Sequence, residues 1–267
     1  MLRQWLRVCD GEHGCYPGSD GLLPTRVLDV RGGNALNSLH LHCTKQGEKG
    51  RYVALSHRWG EIKEDQKFCA YNSNIRDLRK GIDFSKLPKT FQDAVTVTRE
   101  LGVQYLWIDS LCIIQDNAKD WEAESKRMED VFSSAYCTIA ASSARDSTEG
   151  FLGSRPSRQY IKIPWPQGSR LYIGEALENF NHDVEEAELN RRGWVLQERA
   201  LSRRTIHFTA NQTYWECGLG IHCETLIRMR KYVCQVKLNP IPHDSPSHYI
   251  ILPVFCLLWF RFIRVRD

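Results

Sequence analysis

In this chain of 267 residues, the segment Tyr52-Val-Ala-Leu-Ser-His-Arg-Trp-Gly60 sets a hydroxyl (Ser56), an imidazole (His57), a guanidinium (Arg58) and an indole (Trp59) at consecutive positions. On an extended run, Ser56 and His57 leave opposite faces, which prevents a simple nucleophile and base pair. No Gly-x-Ser-x-Gly elbow occurs, so hydrolase triads are not indicated. No Gly-x-Gly-x-x-Gly follows a β-prone run and no Gly-x4-Gly-Lys-Ser/Thr is present, so neither a dinucleotide redox fold nor a P-loop is supported. Metal donors gather in two places, Cys9-x3-His13-x-Cys15 and His40-x-His42-Cys43. A structural zinc site needs four ligands, and neither cluster shows a second pair, so no metal is assigned. Cys112 reads as a small packed hydrophobe. Asp109 follows a second β-prone run, where a carboxylate either meets a ligand or caps the turn.

These groups need a scaffold, and the pattern around them is α/β. Tyr52–Ser56 reads as a buried strand that stops at Trp59-Gly60. Phe91, Ala94, Val95, Thr98 and Leu101 fall at helical spacing between Pro88, suited to a first turn, and Gly102, suited to a stop. Val103–Ile108 is then a strand, completing a strand-helix-strand crossover with Asp109 at its carboxyl end. Asn117 and Asp120 are caps for a further helix with a Trp121, Met128, Val131, Phe132 and Ala135 stripe, and Cys137–Ala141 is a third core strand. Residues 146–192, with Pro156, Pro164 and Pro166, read as an insertion containing a strand at Arg170–Ile173. A short helix over Trp194–Leu201 leads to a C-terminal β-hairpin, Thr205–Thr209 and Thr213–Cys217. Residues 1–50 are a glycine-broken, loop-rich entry segment with short strands, 51–224 the main domain, and 225–267 a divergent basic and apolar tail.

Composition sets the class. The chain is 42% hydrophobic and 25% charged, which excludes disorder, collagen and coiled coil as the main plan. Seven of the 36 Lys+Arg and three of the 32 Asp+Glu lie after residue 221, so the body is neutral and lacks the clustered basic footprint of a nucleic-acid binder. The ten cysteines contain no CxxC pair and the start has no export signal, so free thiols in a cytoplasmic protein are expected. The longest apolar run, Tyr249–Phe260, is interrupted by Pro253 and too short for a membrane span.

Five segments together, Tyr52–Gly60, Leu87-Pro-Lys-Thr-Phe-Gln-Asp-Ala94, Leu106-Trp-Ile-Asp-Ser-Leu-Cys-Ile-Ile-Gln115, Arg192-Gly-Trp-Val-Leu-Gln-Glu198 and Trp215-Glu-Cys217, resemble the heterokaryon-incompatibility (HET) domain of filamentous fungi, in order, over about Leu23 to Glu224. That resemblance implies a role in non-self recognition, triggering programmed cell death when incompatible cells fuse. It also implies a distant likeness to the Toll/interleukin-receptor (TIR) domain, a flavodoxin-like α/β module of parallel strands with crossover helices. Such modules act as assembly adaptors or as NAD-cleaving enzymes, so self-association or another incompatibility protein is the expected partner.

On the enzyme reading, NAD is the substrate and no resident cofactor is needed. A carboxylate beside the sugar stabilises an oxocarbenium-like transition state. By likeness to the TIR pattern of an aromatic followed by an acid on a helix after the third strand, Glu198 is the catalytic position, with Asp109 assisting. Ser56, Arg58, Trp59 and Trp194, and more weakly Gln115 and Asp116, are the expected ligand-binding residues, the guanidinium meeting pyrophosphate and an indole stacking on a base. Equally plain readings stand beside these: Trp59 and Trp194 as core aromatics, Glu198 with Arg199 as a solvated ion pair, Asp109 as a turn cap. From Ile227 onward no segment resembles the family; the tail reads as a cover for an apolar edge, as translated intron, or as the sign of an inert truncated copy.

Overall fold

The computed structural model describes residues 1–15, 20–31, 38–63, 67–155, 160–164, 170–174, 179–191, 193–225 and 228–229. The chain divides into two units, Met1–Lys231 and Tyr232–Asp267. The second, with nearly all of the expected tail, lies outside the described residues.

In chain order the elements are α1 (Leu2–Val8) running into a π turn (Cys9–His13), β1 (Arg26–Asp29), β2 (Ser38–Cys43), β3 (Tyr52–Ser56), α2 (Ile75–Lys80), β4 (Ile82–Asp83), α3 (Lys89–Glu100), β5 (Tyr105–Trp107), α4 (Asp109–Cys112), α5 (Ala118–Ser125), α6 (Met128–Ser134), β6 (Cys137–Ala140), β7 (Tyr160–Pro164), β8 (Arg170–Gly174), α7 (Gly193–Leu201), β9 (Arg204–Phe208), β10 (Thr213–Cys217), β11 (Gly220–Cys223) and β12 (Arg228–Met229). Ten strands form one sheet in the order β12-β11-β10-β9-β6-β3-β5-β1-β2-β4, and β7 and β8 pair by themselves. The centre is parallel: Val53 pairs with Leu106 on one side and Cys137 on the other, and Ile139 pairs with Ile206. Every residue of β3, β6 and β9 is buried, as expected for strands covered on both faces.

The two faces have different helices. His57, on the side of Val53 and Leu55, meets Phe91 of α3 edge-on at 5.0 Å. On the other side the Tyr52 hydroxyl donates to the Val131 carbonyl of α6 at 2.6 Å, and Trp107 packs edge-on against Phe132 at 5.7 Å. The crossovers thus run over opposite faces as the chain moves first from β3 to β5 and then back past β3 to β6.

Several expectations need correction. The entry segment has the short strands expected of it, β1 and β2, but they are built into the main sheet, β1 antiparallel to β5, and the segment opens with a helix, α1, that was not expected. The single helix expected after Asn117 is two, α5 and α6, with the bend at Lys126 and Arg127; that break takes Trp121 off the stripe and leaves it exposed. The hairpin β9–β10 is no appendage, because β9 is itself the fourth parallel strand. Asn117 caps α5 as expected, accepting from the Asp120 N–H at 3.2 Å. Among the described residues no helix is long and apolar enough to cross a membrane, and eight cysteines are free.

Candidate functional site

The four parallel strands end on a common edge, delivering Ser56–Trp59 from β3, Asp109 and Ser110 from β5, Ala141–Arg145 from β6 and Thr209–Asn211 from β9. Buried hydroxyls on this edge, Ser56 Oγ, Ser110 Oγ and Ser142 Oγ, have no hydrogen-bond partner among the described residues. Buried polar groups ordinarily find one, so this edge has bonding capacity left for water or a ligand.

On the β3–β5 side the edge is closed. The Trp59 indole Nε1 donates to Asp109 Oδ2 at 2.9 Å, and His57 Nδ1 lies 3.8 Å from Asp109 Oδ1. The Lys67 ammonium sits 5.5 Å from the Trp59 ring centre. The space among His57, Trp59, Phe91 and Ser110 is only ≈ 10 Å³, about that of one water. The structure therefore brings Trp59 and Asp109 together, but as partners of each other with no room for a base between them.

On the β3–β6–β9 side it is open. A cleft of ≈ 230 Å³ is bounded by Arg58 from β3, Ser142–Arg145 from β6, Thr209–Asn211 from β9, and His182, Asp183, Ala187 and Glu188 from the segment before α7. Its position is where the strand order reverses, the chain having gone to β5 on one side of β3 and β6 on the other. Arg58 Nη1 donates to Glu188, whose side chain is 62% exposed. Asp183 is buried beneath, accepting from the Tyr214 hydroxyl at 2.7 Å and Asn211 Nδ2 at 2.7 Å.

The 180s segment is held over the sheet by charge. Arg199 of α7 donates to Glu216 of β10 at 2.8 Å and to both oxygens of Glu185 at 2.8 Å, and its guanidinium lies 5.3 Å from the Phe180 ring centre. Burial alone would raise the Glu216 carboxyl, but the His207 ring at 3.0 Å and Arg199 hold it well below its usual range. Burial in turn lowers His207, against the opposing pull of Glu216.

The remaining sequence candidates scatter. Gln115 donates to the Ile113 carbonyl at 2.9 Å and Asp116 accepts from the Asn72 N–H at 2.8 Å, so both pin the turn after α4. Glu198 is half-buried on α7, one turn before Ser202, whose hydroxyl lies 2.7 Å from Thr138 Oγ1 of β6. It is not among the described residues that line either space. The Trp194 side chain lies outside the described residues. Sequence reasoning missed Ser142, His182, Asp183 and Glu188. The loop following a third parallel strand was the available signal for the first; the others sit in a stretch read as an insertion.

Residues 52–198 match the model of the heterokaryon incompatibility protein (HET) family. The chain belongs to the HET family. The match covers more than half of the chain and runs from the first residue of β3 to Glu198, spanning β3, β5 and β6, three of the four strands that build the edge. No curated protein and no solved structure matches. A function related to heterokaryon incompatibility follows from HET membership.

Proposed function

We propose that this HET protein is an effector of fungal non-self recognition that triggers cell death on incompatible fusion, and that its working site is the Arg58–Glu188 cleft, which takes a phosphate-bearing ligand of nucleotide type. The observation that carries the reading is the cleft's place at the switch in strand order, where open α/β sheets bind ligands. Counted by themselves, β3, β5, β6 and β9 stand in the order 2-1-3-4, the order of flavodoxin-like sheets, which supports the TIR-like kinship.

The chemistry follows from the pair at the mouth. An ion pair this exposed contributes well under ~1 kcal/mol. A ligand phosphate making a charge-assisted, bidentate contact displaces Glu188 from Arg58 readily. The freed carboxylate then stands beside whatever the phosphate carries. With NAD as substrate, it could stabilise positive charge developing on the ribose as nicotinamide leaves. The cleft is smaller than the ~300 Å³ lower bound of ordinary ligand pockets, so a dinucleotide would seat one half there and lay the other along the strand ends.

The test is nicotinamide release from NAD by purified protein, wild type against Arg58→Ala, Glu188→Gln and Glu198→Gln. The expected outcome is release by wild type and a roughly tenfold or greater loss in Arg58→Ala, one charge-assisted contact. Loss in Glu188→Gln with retention in Glu198→Gln assigns the acid to the cleft; the reverse assigns it to α7. Wild type that releases no nicotinamide even when concentrated makes the protein a non-enzymatic adaptor that acts by self-association.

A further inference from the structure

We infer that Cys9, His13, Cys15 and Cys217 bind one zinc ion, a structural Cys3His site that ties the start of the chain to the β10–β11 hairpin of the sheet. The donor atoms of these four residues lie within 4.8 Å of one another. One pair, Cys217 Sγ and His13 Nδ1, is 3.5 Å apart. Zinc bonds of about 2.3 Å to sulfur and 2.0 to 2.1 Å to nitrogen at a tetrahedral angle put a sulfur and a nitrogen ligand about 3.5 Å apart and two sulfurs about 3.8 Å apart. The observed cluster is thus within about 1 Å of closure on an ion, a distance that side-chain rotation covers.

The backbone is shaped for this convergence. Cys9 and His13 are the two ends of the π turn that continues α1. Gly14 has φ 61°, a left-handed conformation that turns the chain back and brings Cys15 to the same point. The fourth donor ends β10 and enters the turn to β11, where a Cβ on Gly218 would lie 3.6 Å from Cys15 Sγ, in contact with it. Cys217 pairs in register with Arg204, whose side chain is buried and whose guanidinium donates to Asp10, next to Cys9. Three thiolates and zinc leave one net negative charge, and a buried arginine beside them complements it. Zinc would replace the thiol protons outright, and His13 would bind as neutral imidazole.

None of the four ligands falls within residues 52–198, so the site is independent of the family match and of the cleft. Local spacing displays three donors, and only the sheet supplies the fourth.

The test uses the full chain, purified under reducing conditions from zinc-containing medium without chelator. Elemental analysis is expected to find roughly one zinc per chain, released as the thiols are titrated with a mercurial. Cobalt exchanged into wild type should give the intense visible bands and thiolate charge transfer of a tetrahedral site. Cys15→Ser with Cys217→Ser should abolish both, Cys43→Ser should leave both, and His13→Cys should keep the metal with a shifted cobalt spectrum. Chelation should lower the unfolding temperature by roughly 5 to 10 °C. Wild type that stays metal-free after incubation with zinc and reductant, a six-coordinate cobalt spectrum, or full zinc content in the double variant each overturns the assignment. The wild-type measurements hold even if a variant fails to fold.

Discussion

The two edges of the parallel strands are built on opposite principles. At the amino edge, Arg204 is wholly buried, donating to the Tyr136 carbonyl at 2.8 Å with its guanidinium 4.3 Å from the Tyr136 ring centre and a further bond to Asp10. The four metal donors gather beside it. At the carboxyl edge, Arg58 carries the same charge but meets a mostly exposed Glu188 across an open cleft. One arginine is spent on joining distant segments; the other is held loosely enough to change partners. The lesson is that charge at a strand end marks a working site only where its partner can leave.

If that contrast is right, breaking the amino edge should cost the most stability. Arg204→Ala removes a wholly buried side chain and the donor to a buried carbonyl, leaving Asp10 with the Tyr136 hydroxyl at 2.7 Å as its partner, and denaturant unfolding should show a loss of about 3 kcal/mol. Arg204→Lys should recover only part of it, since an ammonium cannot reproduce the forked contact. The carboxyl edge has one rigid point. Gly60 has φ 77°, and a Cβ there would stand 2.2 Å from Asp146 Cβ, so Gly60→Ala should lose about 2 kcal/mol in the same measurement by strain and displacement of the loop after β6. Arg58→Ala should shift stability least, by less than about 1 kcal/mol, while removing any stabilisation by added nucleotide in a thermal shift assay. An Arg58→Ala loss as large as that of Arg204→Ala would erase the distinction.

Much of the fold is legible in the residue order, and the failures have causes. Tyr52–Ser56 and the helix from Lys89 are read almost to the residue, because a fully apolar β-prone run and a proline-to-glycine frame are local signals. β1 is not, because Arg26 and Asp29 break its apolar pattern. Arg26 is buried only by virtue of Asp120, 94 positions away, at 2.6 and 2.7 Å, and of the Cys112 carbonyl at 2.6 Å. α1 has a sequence signal of its own, Leu2, Trp5, Leu6 and Cys9 at helical spacing, that the glycines following it obscure. The edge containing Ser56, Arg58, Trp59 and Asp109 was foreseen from strand ends. Its division into a sealed half and an open half was not, because which neighbour each side chain turns to depends on the loops after β6 and before α7.

The clasp between the first turn and the β10–β11 hairpin has a consequence for how the chain acquires its shape. His13 and Cys217 are separated by 204 positions, and β9, which completes the parallel centre, comes almost as late. Loop closure over such a span is entropically slow. During synthesis, α1 leaves the ribosome long before its counterpart exists. The thiols of the first turn therefore spend that interval exposed, and the cell's redox state and zinc supply at that stage decide whether the ends are joined correctly.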